Sequence, residues 1–321
     1  MGAAIALAGR GIGRTAPNPS VGCVIVADGR VVGRGWTQPG GRPHAEAAAL
    51  GQAGAAAAGA TAYVTLEPCA HVSPRGPACA PSLVDARLAR VVIAVTDPDP
   101  RTAGAGIALL QSAGIAVTAG VRSADATALN AGFFSRIVRG RPFLTLKLAL
   151  SIDGCVALAD GSSRWITGAA ARAHAHLERA RTDLIVVGRG TLSADDPALD
   201  VRLAGLEERR PRAAVLSRTL ETVAPGQRLA GAKLLRDIAE VDAMTDVLTV
   251  LVEGGAAVAT ALLAADRVDR LLVYRAPVVI GAGVRIGDIG LRDLGCTHGR
   301  WRPSPLRMLG VDHVEEYLRT R

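Results

Sequence analysis

The sequence predicts an α/β protein built from two layered domains. Three observations carry that prediction. Short β-rich runs alternate with helical stretches along the chain; the alternation is interrupted near residue 141 and then restarts; and 321 residues, 49% of them hydrophobic, supply enough apolar surface for two cores. Aromatic residues make up only 3%, so both cores must be mainly aliphatic.

The apolar stretch Met1–Ala8 has no basic segment ahead of it and reads as a helix rather than an export signal. Val21–Val26 and Val31–Gly35 are strands joined through Asp28-Gly29, a pair suited to the positive φ of a tight hairpin. His44–Ala58 is alanine-rich and helical. A strand at Ala62–Leu66, a helix at Ser82–Leu88, a strand at Val91–Val95, a helix at Ile107–Ala113 and a strand at Ile115–Thr118 follow. Gly120–Pro142 reads as a polar, arginine-bearing connector ending in Arg139-Gly140-Arg141-Pro142, which sets the domains at 1–141 and 142–321. The second domain opens with a strand at Phe143–Leu148 and a helix at Ala169–Arg179. Strands at Leu184–Val187, Ala213–Leu216 and Val247–Val252 come next, then a helix at Ala256–Ala264 and a strand at Arg270–Tyr274.

A net charge of +8 invites a nucleic-acid partner. The arginines are dispersed, however, and no basic block is interleaved with aromatics as a single-strand binder requires. A phosphorylated small substrate or a phosphate-rich cofactor suits the same charge. Five scattered cysteines give no disulfide framework, and no apolar run of membrane-spanning length is free of Gly, Pro or charge. A reducing, cytoplasmic setting is expected.

The first domain carries His44-Ala45-Glu46, Glu67-Pro68-Cys69 and Cys79. A zinc ion that activates water needs three protein ligands and one open position. One imidazole (His44) and two thiolates (Cys69, Cys79) supply them. Glu46, two residues beyond His44 at a helix start, can reach a metal-bound water without being a ligand and shuttle its proton. Pro68 suits the first turn of a helix, whose dipole would favour the Cys69 thiolate. A structural zinc site would instead close with a fourth protein ligand, for which His71 is the nearby candidate. Cys23 lies in an apolar strand, and Cys155, Cys296, His174, His176, His298 and His313 have no ligand spacing.

The H-x-E…P-C…C arrangement resembles the zinc nucleobase deaminases. Pro68-Cys69-Ala70-His71-Val72-Ser73-Pro74-Arg75-Gly76-Pro77-Ala78-Cys79 is similar to the long cysteine loop of the riboflavin-pathway deaminases, one residue longer than usual. Ala16–Val24 resembles that family's entry segment, and Asp97-Pro98-Asp99-Pro100 its D-P-N-P segment, with Asp99 where the family has Asn. The resemblance implies a cytidine-deaminase-like zinc domain in which Asn18, His71 and Asp97 contact the substrate.

In the second domain, Gly188-Arg189-Gly190 lacks the third glycine of a dinucleotide fingerprint. Leu146–Gly154 resembles the L-K-x-A-x-S-x-D-G opening of the riboflavin-pathway reductases, which have a dihydrofolate-reductase-like fold. Arg164–Thr167, Gly188–Thr191, Ala194–Leu199 with Val201-Arg202, Val252–Gly255, and Val268-Asp269 with Ala276-Pro277 match in order. The resemblance implies an NADPH site at Ala149, Trp165, Thr191 and Asp195 and along Gly255, Ala256, Ala257, Val258, Ala259, Thr260 and Ala261. It implies substrate contacts at Ser163, Arg179, Leu199, Arg202 and Glu253, with Lys147 as a catalytic cation. Gly254-Gly255 between strand and helix would bring backbone amides to a phosphate, and two arginines would hold a substrate phosphate. The stretch between Arg202 and Glu253 is short for the family, with Leu216-Ser217 in place of Asp-Ser, so a strand–helix portion is expected to be trimmed.

The activity implied is zinc-dependent deamination of a phosphoribosylamino-pyrimidine, then NADPH-dependent reduction of its ribosyl group to a ribityl chain, by a homo-oligomer. The rivals are a tRNA-type nucleic-acid deaminase, a deaminase with a degenerate reductase domain, and a zinc-stabilised binding module that would need a fourth ligand and no Glu46.

Overall fold

Helix α1 (Gly2–Ala8) leads into β1 (Gly22–Ala27), which turns through Asp28 and Gly29, both at positive φ, into β2 (Arg30–Trp36). The hairpin expected from Asp28-Gly29 is therefore present, antiparallel in register from Gly22↔Trp36 to Ala27↔Arg30. The computed structural model describes residues 1–71 and 76–321. Those residues form two units, Met1–Arg141 and Pro142–Arg321.

In the first unit α2 (Ala45–Ala53), β3 (Thr61–Val64), α3 (Cys79–Asp85), β4 (Arg90–Ile93), α4 (Ala105–Ser112) and β5 (Ala116–Thr118) follow. The described strands order as β2-β1-β3-β4-β5, with β3, β4 and β5 mutually parallel. Cys23, Ile25, Ala62, Val64, Val91 and Ile93 are sealed within the layers, together with Leu83 and Leu110 from the helices. Gly35 of β2 has a packing reason. A Cβ there would lie 2.1 Å from the carbonyl of Ala45, so only glycine lets the alanine-rich α2 sit directly on the strand. That close seat positions the helix that begins next to His44 and carries Glu46.

Three expectations are corrected here. Pro68 does not open a helix: residues 67–70 are irregular, and the helix begins instead at Cys79, earlier than the expected Ser82. The helical run after His44 ends as α-helix at Ala53 and continues as a 3-10 turn, Gly54–Ala57. The stretch 120–142 is not a plain connector, for it holds α5 (Ser123–Leu129) and α6 (Ala131–Arg139). Arg136 and Arg139 lie in the last turn of α6, where cations favour a helix, and Gly140 at φ 68° closes it. What reads as connector polarity is the solvent face of an amphipathic helix whose other side buries Phe133.

The second unit comprises β6 (Phe143–Leu150), α7 (Ala169–Arg179), β7 (Leu184–Gly188), α8 (Arg189–Asp195), β8 (Arg212–Leu216), β9 (Lys233–Leu235), β10 (Thr249–Val252), α9 (Ala256–Ala264), β11 (Arg270–Arg275), β12 (Trp301–Pro303), β13 (Arg307–Leu309) and β14 (Asp312–Arg319). Among the described residues the sheet runs β12-β14-β11-β6-β10-β7-β8-β9, with β13 also on β14. The run from β11 to β9 is parallel, and β14 pairs antiparallel with β11. Strand β6 lies central and alternates: Leu144, Leu146, Leu148 and Leu150 are buried in the core, whereas Lys147 and Ala149 are only half-buried. Truncating a sealed residue such as Leu146 would cost about 2–5 kcal/mol. Between Arg202 and Glu253 the sheet gains β9, which the sequence reading omits, and β8 reaches it through irregular chain without an α-helix. No helix among the described residues is long and apolar enough to cross a membrane.

Candidate functional site

His44 caps α2 and Cys79 opens α3, while Cys69 stands on the irregular segment after β3. The three ligand atoms lie within 4.8 Å of one another. His44 Nδ1 is 3.3 Å from Cys79 Sγ and 3.7 Å from Cys69 Sγ. Zinc with Zn–N and Zn–S bonds of ~2.1 and ~2.3 Å would hold tetrahedral ligand atoms about 3.5 Å apart. The residues fit the ion in donor chemistry and in spacing, and no fourth His, Cys, Asp or Glu joins the cluster among the described residues. The far nitrogen, His44 Nε2, is 3.2 Å from the amide of Asn18, a brace for the imidazole.

The electrostatics favour a cation. The backbone N–H of Cys79 donates to Cys69 Sγ at 3.3 Å. The Cys79 side chain, by hydrogen bonding, pushes the Cys69 thiol well down, and Cys79 itself is pushed up by that shared bond and by burial. Two thiols this close to each other and to an imidazole are a donor set that would give up its protons to a dication. The carboxyl of Glu46, 3% exposed, is pushed by burial up to about 7. A group poised there exchanges a proton readily in either direction at neutral pH.

His71 Nδ1 lies 3.2 Å from Thr102 Oγ1. Burial, with the carboxylates of Asp99 and Glu67 nearby, pushes Asp97 up to about 6, against a hydrogen bond from the Asp99 N–H. Asp99 is held below the usual carboxylate range by Arg101, which grips both of its oxygens. The remainder of the lengthened cysteine loop, Val72–Arg75, lies outside the described residues.

In the second unit a cleft of about 1200 Å³ opens beyond the C-terminal ends of β7, β8 and β10 and beside Lys147 and Ala149 of β6, where open parallel sheets bind ligands. Gly190 and Gly255 in its lining have open space where a side chain would project. Gly255 also caps α9, and a helix start of this kind can receive a phosphate. Arg189, Arg218 and Arg236 follow β7, β8 and β9 into the same cleft. Glycine-lined room, a helix start and strand-end arginines fit a phosphorylated dinucleotide.

Residues 142–303 match the family model for the RibD C-terminal domain, and residues 1–95 match that for the cytidine and deoxycytidylate deaminase zinc-binding region. The riboflavin biosynthesis protein RibD of Aquifex aeolicus is 37% identical over 91% of this chain and 90% of its own. That of Escherichia coli is 40% identical over 89% of each. The solved structure of Acinetobacter baumannii RibD superposes with a TM-score of 0.90 at 35% identity, covering all of this chain and 98% of the other. This chain belongs to the RibD family of riboflavin biosynthesis proteins. It carries that family's deaminase zinc domain first and its reductase domain second, and it is an enzyme of both kinds.

Against the RibD frame, most residues expected in the reductase site gather in the cleft: Lys147, Ala149, Ser163, Trp165, Arg179, Thr191, Asp195, Leu199, Arg202, Glu253, Gly255–Val258 and Ala261 line it. Ala259 and Thr260 do not. Ala259 is sealed in the core, and Thr260 donates to the Ala256 carbonyl and receives the Gly287 N–H. Arg179 is placed differently from its expected phosphate contact. Its Nε and one terminal nitrogen donate to the two oxygens of Glu253 at 2.7 and 2.8 Å, and the other nitrogen to the Asp200 carbonyl. Glu253 is held down at about 2, with Arg179 overcoming the opposing effect of burial. The Arg202 side chain, 64% exposed, stays open to the cleft, with an Asp200 carboxylate oxygen 3.4 Å from its Nε. Trp165, under the guanidiniums of Arg172 and Arg164, and Asp195, paired with Arg164 at 2.9 Å, form one wall. His176 lines the cleft as well, which the histidine spacing did not indicate.

Proposed function

We propose that the two sites act in sequence on one phosphorylated pyrimidine. The first removes the exocyclic amine of 2,5-diamino-6-(5-phosphoribosylamino)pyrimidin-4(3H)-one, and the second reduces the ribosyl group to a ribityl chain. The observation that carries the first step is the His44–Cys69–Cys79 triangle with Glu46 buried beside it. When bound, zinc supplies an acidified water as nucleophile. Glu46 accepts one proton of the attacking water and passes it to the pyrimidine ring nitrogen, then carries the second, from the newly added hydroxyl, to the departing amine, which leaves as ammonia. Asn18, His71 and Asp97 orient the ring.

In the second unit NADPH, when bound, supplies the hydride. Lys147, its ammonium 5.8 Å from the centre of the Tyr274 ring, polarises the sugar oxygen where charge develops. Arg202 takes the substrate phosphate. Ala149, Trp165, Thr191, Asp195, Gly255, Ala256, Ala257, Val258 and Ala261 hold the cofactor, while Ser163, Leu199 and Glu253 border the substrate. The dispersed basic charge gathers locally in this cleft and so favours a small phosphorylated partner over nucleic acid. Five unpaired cysteines suit the cytoplasm. Exposed Leu306, Met308 and Val311 on the C-terminal hairpin suit a homo-oligomer.

Incubation of the purified chain with the diamino pyrimidine phosphate, with and without NADPH, tests this reading. Ammonia and the deaminated riboside are expected without NADPH, and the ribityl product with it. Failure to release ammonia would overturn the first assignment, and failure to oxidise NADPH the second.

A further inference from the structure

The zinc motif contains a carboxylate with no role in the mechanism above. Glu67 is 2% exposed, immediately precedes Pro68-Cys69, and among the described residues pairs with no basic side chain. Its partners are three backbone N–H groups. Asp97 and Gly104 donate to Oε2 at 3.2 and 3.0 Å, and Ile107 donates to Oε1 at 3.0 Å. All three belong to the segment after β4, and its own Val95 carbonyl accepts the Glu67 N–H in return at 2.9 Å. One side chain therefore ties the loop carrying a zinc ligand to the segment carrying Asp97 and to the first turn of α4.

The same contact is seen from the other side. A Cβ on Gly106 would fall 2.0 Å from the Pro68 carbonyl and 3.2 Å from the Glu67 side chain. The two backbones approach so closely that any side chain at 106 would push them apart. Thr102, on the same segment, meets His71 at 3.2 Å. Both residues expected at the substrate in this region, His71 and Asp97, thus take their places from the join that Glu67 makes.

We propose that Glu67 is a positioning residue for deamination: its buried carboxylate fixes the 97–107 segment against the Cys69 loop and so sets the pyrimidine pocket. This rests on the deaminase reading. Glu67→Gln keeps the size of the side chain but turns one acceptor into a donor facing an N–H. In the zinc-loaded full-length chain, amide hydrogen exchange at Asp97, Gly104 and Ile107 should then accelerate while zinc stays at one per chain. KM for the diamino substrate should rise about tenfold and kcat change little, the scale of one lost charge-assisted hydrogen bond. Gly106→Ala, which parts the same two backbones while leaving the Glu67 carboxylate chemically intact, should give the same split. Unchanged exchange at those amides in both variants would overturn the proposal, as would zinc loss or a fall in kcat with KM unmoved. Exchange is read without turnover, so its outcome stands apart from whether the chain deaminates.

Discussion

In the first unit the reacting groups are local and mostly buried, only His44 being half-buried: His44 and Glu46 share one helix start, and Cys69 and Cys79 bracket one loop. In the second, the site is an open cleft whose lining runs from Lys147 to Val284. The difference follows from the chemistry. A metal dictates residue types and a spacing of a few ångströms, so a short motif must carry it. A dinucleotide is met largely by backbone, helix termini and strand ends, which many side chains satisfy equally.

The sharpest way to break the comparison is to remove a ligand from the first of these sites. Cys79→Ala should abolish stoichiometric zinc and reduce deamination to background, while NADPH oxidation on the already deaminated intermediate persists. Metal analysis with both assays checks it. Loss of both activities would show that the sites are not built independently.

The second unit has a largely buried ion pair of its own at the edge of the cleft, Arg179–Glu253. Arg179→Ala would strand a buried carboxylate, at a cost of about 3–5 kcal/mol, visible as a lowered denaturant midpoint. The pair also predicts a pH dependence. Glu253 titrates at about 2 in the folded chain, below the ordinary 4.5. Its folded value is depressed, so its contribution is intact above about 4.5 and is lost as the pH falls toward 2. Unfolding midpoints measured across that window should fall in the wild type, and this component should be missing in Arg179→Ala. A smaller effect is expected at the open wall. Arg202→Ala should raise KM for the phosphorylated intermediate about tenfold, with kcat little changed.

How much was legible in the sequence follows the same division. His44, Cys69 and Cys79 converge as the motif implies, because zinc draws its ligands from a few residue types that must meet within a few ångströms. The hairpin at Asp28-Gly29 was legible for a similar reason, since a tight turn restricts its residues. Helix α6 was not, because its arginines resemble a linker until Phe133 is seen to be buried. Strand β9 is only three residues long, too short for a period to show. Nor could spacing reveal that Arg179 is committed to Glu253, 74 residues away. Glu67 was visible in the motif, but its partners are backbone amides, which leave no trace in side-chain pattern.

Mixing two variants is the sharpest test of whether the two chemistries of this chain are separable. Glu46→Gln should lower ammonia release by about 10²–10⁴-fold with zinc retained. Lys147→Ala should leave ammonia release intact and stop NADPH oxidation. Given the diamino substrate and NADPH, neither variant alone should make the ribityl product, and the two together should make it, because each supplies the step the other lacks. No product from the mixture, or full conversion by either variant alone, would contradict the account.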